Sequence, residues 1–134
     1  YGVPGGGAFR RTEGGDLALR TRVPAARPLR VAARRSHRDA RTQALLDALP
    51  AHETLACGSS LKFCRIAAGE IDLYPRFGPT SEWDTAAGQA ILDAAGGAVL
   101  DPRGRPFRYN QREGLLNGDF VAFGDQALRA VLPA

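Results

Sequence analysis

Three short stretches of the 134-residue chain carry residue types suited to phosphate chemistry: Ser36-His37, Gly58-Ser59-Ser60 with Lys62, and Ser81-Glu82-Trp83-Asp84. Each stands at the predicted start of a helix. The first N–H groups of a helix lack intrahelical partners and lie at the positive end of its dipole, so phosphate oxygens are held well there. A carboxylate at such a place, as at Asp84, can instead present a divalent cation to phosphate, or simply pair with the dipole of its own helix. Ser36 reads equally as an N-cap, and His37 as a locally bonded residue beside it. Lys62 opposes the dipole in the first turn of its helix, a conflict that an anionic ligand would offset. His52, in Pro50-Ala51-His52-Glu53, has no evident partner and is read as structural.

The elements around these stretches follow from spacing. Ala8–Thr12 and Leu17–Arg20 read as a hairpin about the turn Glu13-Gly14-Gly15-Asp16, and Val23 to Pro28 as a linker. Gly5-Gly6-Gly7 could cradle a phosphate but lacks the lysine and following helix of a P-loop, so it reads as a turn. Beyond the linker, strands and helices alternate. Strands are expected at Leu29–Ala33, Thr54–Cys57, Ile71–Tyr74, Ala98–Leu100 and Phe120–Phe123. Helices are expected from Ser36 to Leu49, from the Gly58-Ser59-Ser60 opening to Gly69, from Asp84 to Ala95 and from Asp125 to Leu132. Ser36 with Asp39 and Ser81 with Asp84 have capping-box spacing, and Gly96-Gly97 ends the third helix. Its Ala86, Ala87, Gly88 and Ala90 form a small face that admits close neighbours. This is an α/β fold, a layered sheet flanked by helices; its ligands belong where strands hand over to helices.

Composition narrows the function. The formal charge is +4 and comes from arginine, since Lys62 is the sole lysine; few aromatics accompany it. That favours an anionic substrate or a solvated surface over a nucleic-acid groove, which needs stacking rings among its basic residues. Cys57 and Cys64 read as buried thiols rather than a disulfide or zinc site, which suits a reducing cytoplasm. No apolar run reaches membrane-spanning length, so no transmembrane segment is expected. The chain contains no methionine and opens on Tyr1, so it reads as a piece of a longer polypeptide.

Trp83-Asp84-x-Ala86-Ala87-Gly88, preceded by Gly58-Ser59-Ser60 and Ala67-Ala68-Gly69-x-x-Asp72, resembles the C-terminal half of the inositol monophosphatase superfamily of magnesium-dependent, lithium-sensitive phosphatases. Ser36-His37, Ser59-Ser60-Leu61-Lys62-Phe63-Cys64, Asp72-x-Tyr74-x-Arg76 and Pro106-Phe107-Arg108-Tyr109-Asn110 are similar to its 3'(2'),5'-bisphosphate nucleotidase branch. The resemblance runs from Gly5-Gly6-Gly7-Ala8-Phe9 to Leu115-Leu116-Asn117. It implies the C-terminal lobe of the sugar-phosphatase fold over residues 28–134, with 1–27 a hairpin and linker belonging to a preceding sheet. It further implies that Asp84 is a ligand of the second magnesium and touches substrate. Ser36 would contact the substrate and His37 would lie against the adenosine, Ser59 and Lys62 against the nucleotide and its non-scissile phosphate, and Arg76 on an anionic oxygen.

The family's upstream glutamate and Asp-Pro-(Ile/Leu)-Asp-Gly-Thr motif have no counterpart here. Asp101-Pro102-Arg103-Gly104 lacks the second acid and reads as a turn. One carboxylate cannot hold the two or more magnesium ions of the complete enzyme, so this chain is expected to be inactive without an N-terminal half. The expected substrate is 3'-phosphoadenosine 5'-phosphate, and the expected location cytoplasmic, at most peripheral to the inner membrane. An inositol phosphatase, a non-catalytic anion-binding half-domain and an arginine-driven nucleic-acid binder are the alternatives.

Overall fold

The computed structural model describes residues 1–33, 40–56, 61–77, 80–101, 103–108, 116–117 and 119–131, with 80–84, 116–117 and 131 described by their backbone. Strands β1 (Gly2–Val3), β2 (Gly7–Thr12) and β3 (Gly15–Leu19) form a small antiparallel sheet. Thr12 pairs with Gly15, so the hairpin loop is only Glu13-Gly14, tighter than the four-residue turn expected. Gly15 sits at φ 119°, a conformation that glycine adopts without penalty.

The second sheet begins after the linker. Its strands are β4 (Leu29–Ala32), β5 (His52–Leu55), β6 (Leu73–Arg76), β8 (Ala98–Leu100) and β10 (Phe120–Phe123), in the spatial order β5-β4-β6-β10-β8. β4 runs parallel to β5 and β6, whereas β10 runs antiparallel to both β6 and β8. The sheet is therefore mixed. A two-residue ribbon joins β7 (Thr80–Ser81) to β9 (Leu116–Asn117), elements too short for periodicity to reveal.

Helices α1 (Ala40–Ala48), α2 (Leu61–Ala67) and α3 (Glu82–Ala94) cover the sheet. Alternation along the strands feeds two cores. Tyr74, Val99, Phe120 and Ala122 join Phe63, Ile66 and Leu92 of α2 and α3 on one face; Leu29, Val31, Leu73, Leu100 and Phe123 join Leu46 and Leu49 on the other. The expected short terminal helix is a 3₁₀ helix, Gln126–Val131, seating Leu128 in the second core. Asp125 tightens its start, accepting hydrogen bonds from the backbone N–H of Ala127 and Ala25, both at 3.0 Å.

Residues 21–28 are anchored rather than loose. Asp72 is 2% exposed, and its two carboxylate oxygens accept from Ala26 N at 3.1 Å and Arg30 N at 2.9 Å. Asp72 thus ties the linker and the start of β4 to the start of β6. The small face of α3 does the work its composition suggests. A Cβ on Gly88 would lie 2.7 Å from Phe63 Cδ2, which is how closely α3 and α2 approach.

Candidate active site

Parallel β4, β5 and β6 end at one edge of the sheet, and the chain leaves it at Ala33, Ala56 and Phe77 towards α1, α2 and α3. The three sequence stretches belong to these departures, so the topology sends all of them from one edge. The edge also has a switch point. From β4 the chain goes outward to β5 by way of α1 on one face, while β6 lies on β4's other side and leads to α3 on the opposite face. A switch point at the carboxyl ends of neighbouring strands is where α/β sheets bind their ligands.

Asp84 stands third in α3, in the first turn, with Ser81 immediately before the helix. The pairing of Thr80 with Asn117 and of Ser81 with Leu116 holds the backbone approaching that turn. Lys62 is the second residue of α2, and its ammonium lies 4.6 Å from the centroid of the Tyr74 ring. The ring's negative face therefore offsets part of the dipole conflict read from the sequence. Tyr74 is fixed edge-on against Phe63 and Phe120, with centroids 5.6 and 5.5 Å away. Two residues along β6, on the same face as Tyr74, comes the half-buried Arg76, whose Cα partner is Phe120. Lys62 and Arg76 thus bring two cations to one face of one strand, beside the approach to α3.

Ser36, His37 and Ser59 lie outside the described residues, as does Cys57. Cys64 is a half-buried free thiol, and His52 makes a local contact, its Nδ1–H donating to Pro50 O at 3.0 Å. Asp101 closes its turn by accepting from the backbone N–H of Arg103 and Arg105 at 2.9 and 3.0 Å. Its slight desolvation would raise its pKa, but these bonds and the Arg105 guanidinium outweigh that and lower it below the usual 3.8. That carboxylate is occupied by its own turn.

Sequence reasoning passed over a further group at this edge. Arg41, in the first turn of α1, forms an ion pair with Asp119, and its guanidinium lies 5.2 Å from the Phe77 ring centroid. The only linear signal for it is an aromatic residue directly after Arg76. Among the described residues no three His, Cys, Asp or Glu side chains gather as a metal-binding group. One carboxylate on α3 does not by itself make a magnesium site.

A mixed sheet between helices, with its parallel strands leading to three helices from one edge, defines an α/β fold. The chain belongs to the inositol monophosphatase family, whose profile matches residues 1–129. It is 53% identical over 95 residues to the 3'(2'),5'-bisphosphate nucleotidase CysQ of Escherichia coli K12, an alignment covering 71% of this chain and 39% of that protein. The crystal structure of CysQ from Bacteroides thetaiotaomicron, a bacterial member of the family, superposes with a TM-score of 0.64 at 42% identity, covering 72% of this chain and 37% of that one. A Pyrococcus horikoshii protein with similarities to inositol-1 monophosphatase shares the fold at a TM-score of 0.72 and 19% identity, over 97% of this chain and 49% of its own. The chain spans less than half the length of these proteins.

Proposed function

We propose that this chain is the C-terminal lobe of a magnesium-dependent phosphatase that hydrolyses 3'-phosphoadenosine 5'-phosphate to AMP and phosphate, acting in the cytoplasm. Residues 28–134 form the lobe, and residues 1–27 belong with the sheet of an N-terminal half. Identity of 53% to a bisphosphate nucleotidase carries the reading. The site chemistry agrees with it. A bisphosphate nucleotide has two anionic ends, so its enzyme needs cationic groups for the phosphate that stays as well as for the one that leaves. Lys62 and Arg76 provide two cations on one face of β6. Ser59 and Lys62 hold the 5'-phosphate end, Ser36 and His37 flank the adenosine, and Arg76 binds an anionic oxygen. Asp84 contributes one carboxylate towards magnesium and touches the substrate, while the remaining ligands come from the N-terminal half. Magnesium, when bound, would supply a Lewis acid for the departing ribose oxygen. Water adds to phosphorus and gives up a proton, the bond from phosphorus to the 3'-oxygen breaks, and that oxygen takes up a proton, so the two balance.

Phosphate release with magnesium tests this, using the complete enzyme and then this chain alone, with 3'-phosphoadenosine 5'-phosphate and inositol 1-phosphate as substrates. The expected result is release from the nucleotide by the complete enzyme, inhibited by lithium, and none from this chain. Preference for inositol 1-phosphate would overturn the substrate assignment. A folded complete protein inactive on both would leave a non-catalytic anion-binding lobe.

A further inference from the structure

The Arg41 group sits at the switch point, and its contacts link elements that diverge from it. Arg41 belongs to α1, which covers one face of the sheet; Phe77 is the first residue after β6; Asp119 leads into β10. The β6–β10 ladder ends at the pair Arg76 and Phe120, so Phe77 lies past the last cross-strand partner. There the Arg41 guanidinium covers its ring while pairing with the carboxylate one residue before Phe120. Strand alternation turns Arg76 towards the α2–α3 side, opposite to the α1 side from which Arg41 reaches Phe77. We infer that Arg41 is a positioning residue: it holds Phe77 from the α1 face, fixes the chain as it leaves β6, and so sets the direction in which neighbouring Arg76 meets an anionic substrate.

The side chains of Arg41 and Asp119 are 60% and 22% exposed, so neither the ion pair nor the stack alone is strong. Their combination in one planar guanidinium is what makes the contact directional, and lysine cannot reproduce it. This inference rests on Arg76 binding substrate, as proposed above.

The test compares Arg41→Ala, Arg41→Lys, Asp119→Ala and the double alanine variant of the complete enzyme. KM and kcat are measured on whichever of 3'-phosphoadenosine 5'-phosphate and inositol 1-phosphate the wild type prefers. Hydrogen exchange is followed at residues 77–81 and in the interior of α3. Arg41→Ala is expected to raise KM about three- to tenfold with kcat changed less than about twofold, and Arg41→Lys to recover part of the loss. The double variant should lose little more than Arg41→Ala, because both changes break one contact. Exchange should quicken at 77–81 and not in α3. Unchanged KM, full recovery by lysine, independently multiplying effects, or exchange raised equally in both segments would each overturn the inference. A preference for inositol 1-phosphate would defeat the nucleotide reading and leave the Arg41 test intact. If the complete enzyme hydrolyses neither substrate, unchanged exchange at 77–81 defeats the inference.

Discussion

At the scale of single residues, the sheet asks two different things of its charged side chains. Lys62 stands where a helix dipole disfavours it, and its ammonium is held over the Tyr74 ring at the start of α2. Lys62→Ala in the complete enzyme should raise KM for 3'-phosphoadenosine 5'-phosphate at least about tenfold, since a charge-assisted contact to phosphate contributes about 1.5–3 kcal/mol. Inositol 1-phosphate, which has no second phosphate, should lose much less. Equal losses on the two substrates would remove Lys62 from recognition of the non-scissile phosphate. Asp72 is the structural counterpart. Its buried carboxylate serves the N–H groups of Ala26 and Arg30, and Asp72→Ala leaves both donors without that partner. The expected loss is about 3 kcal/mol, read as a lower denaturation midpoint in urea; a loss below about 1 kcal/mol would mean that water replaces the carboxylate.

Between residues and the whole fold, the elements show what spacing makes legible. The four-residue repeat through Trp83, Ala87, Ile91 and Ala95 and the Ser81–Asp84 spacing marked α3 to within a few residues, because a long amphipathic helix writes its period many times. Strands β4, β8 and β10 were equally clear, each a short apolar run between turn residues. The direction of β10 was not legible, since a strand's period is the same whichever way it runs. Nor was the Arg41 group, assembled from residues separated by 36 and 42 positions along the chain and marked by no local pattern. The terminal helix was legible as a helix but not as a 3₁₀ one, because its few residues satisfy either helical period. Gly88 tests the close approach that the sequence did announce. Alanine there adds helix propensity of about 1 kcal/mol, yet its Cβ would meet Phe63 at 2.7 Å from Cδ2 and 2.9 Å from Cβ. Phe63 Cβ is next to the backbone and cannot rotate away, so overpacking should win and Gly88→Ala should destabilise by about 2 kcal/mol. Thermal unfolding decides it, and a stabilised variant would show that α2 shifts freely against α3.

For the molecule as a whole, the proposed function asks how much of a metal-assisted site this chain contains. The carboxyl edge of the sheet has Arg76 on β6, Lys62 on α2 and Asp84 in the first turn of α3, but among the described residues no gathered set of acidic ligands. Magnesium favours six oxygen ligands and surrenders water reluctantly, so a single carboxylate should bind it only at millimolar concentrations or above. A ligand stabilises a fold by RT ln(1 + [L]/Kd), which with magnesium at about ten millimolar and a Kd of about that size or weaker is at most about 0.4 kcal/mol. Thermal unfolding of this chain should therefore shift by less than about 2 °C when magnesium is raised to about ten millimolar. The complete enzyme, with its further ligands, should shift by more, and Asp84→Ala should reduce that larger shift together with turnover. A large magnesium shift in this chain alone would place a full ligand set within it and overturn the division of the site between two halves. An Asp84→Ala enzyme with unchanged magnesium response would instead return Asp84 to the role of dipole partner for its own helix.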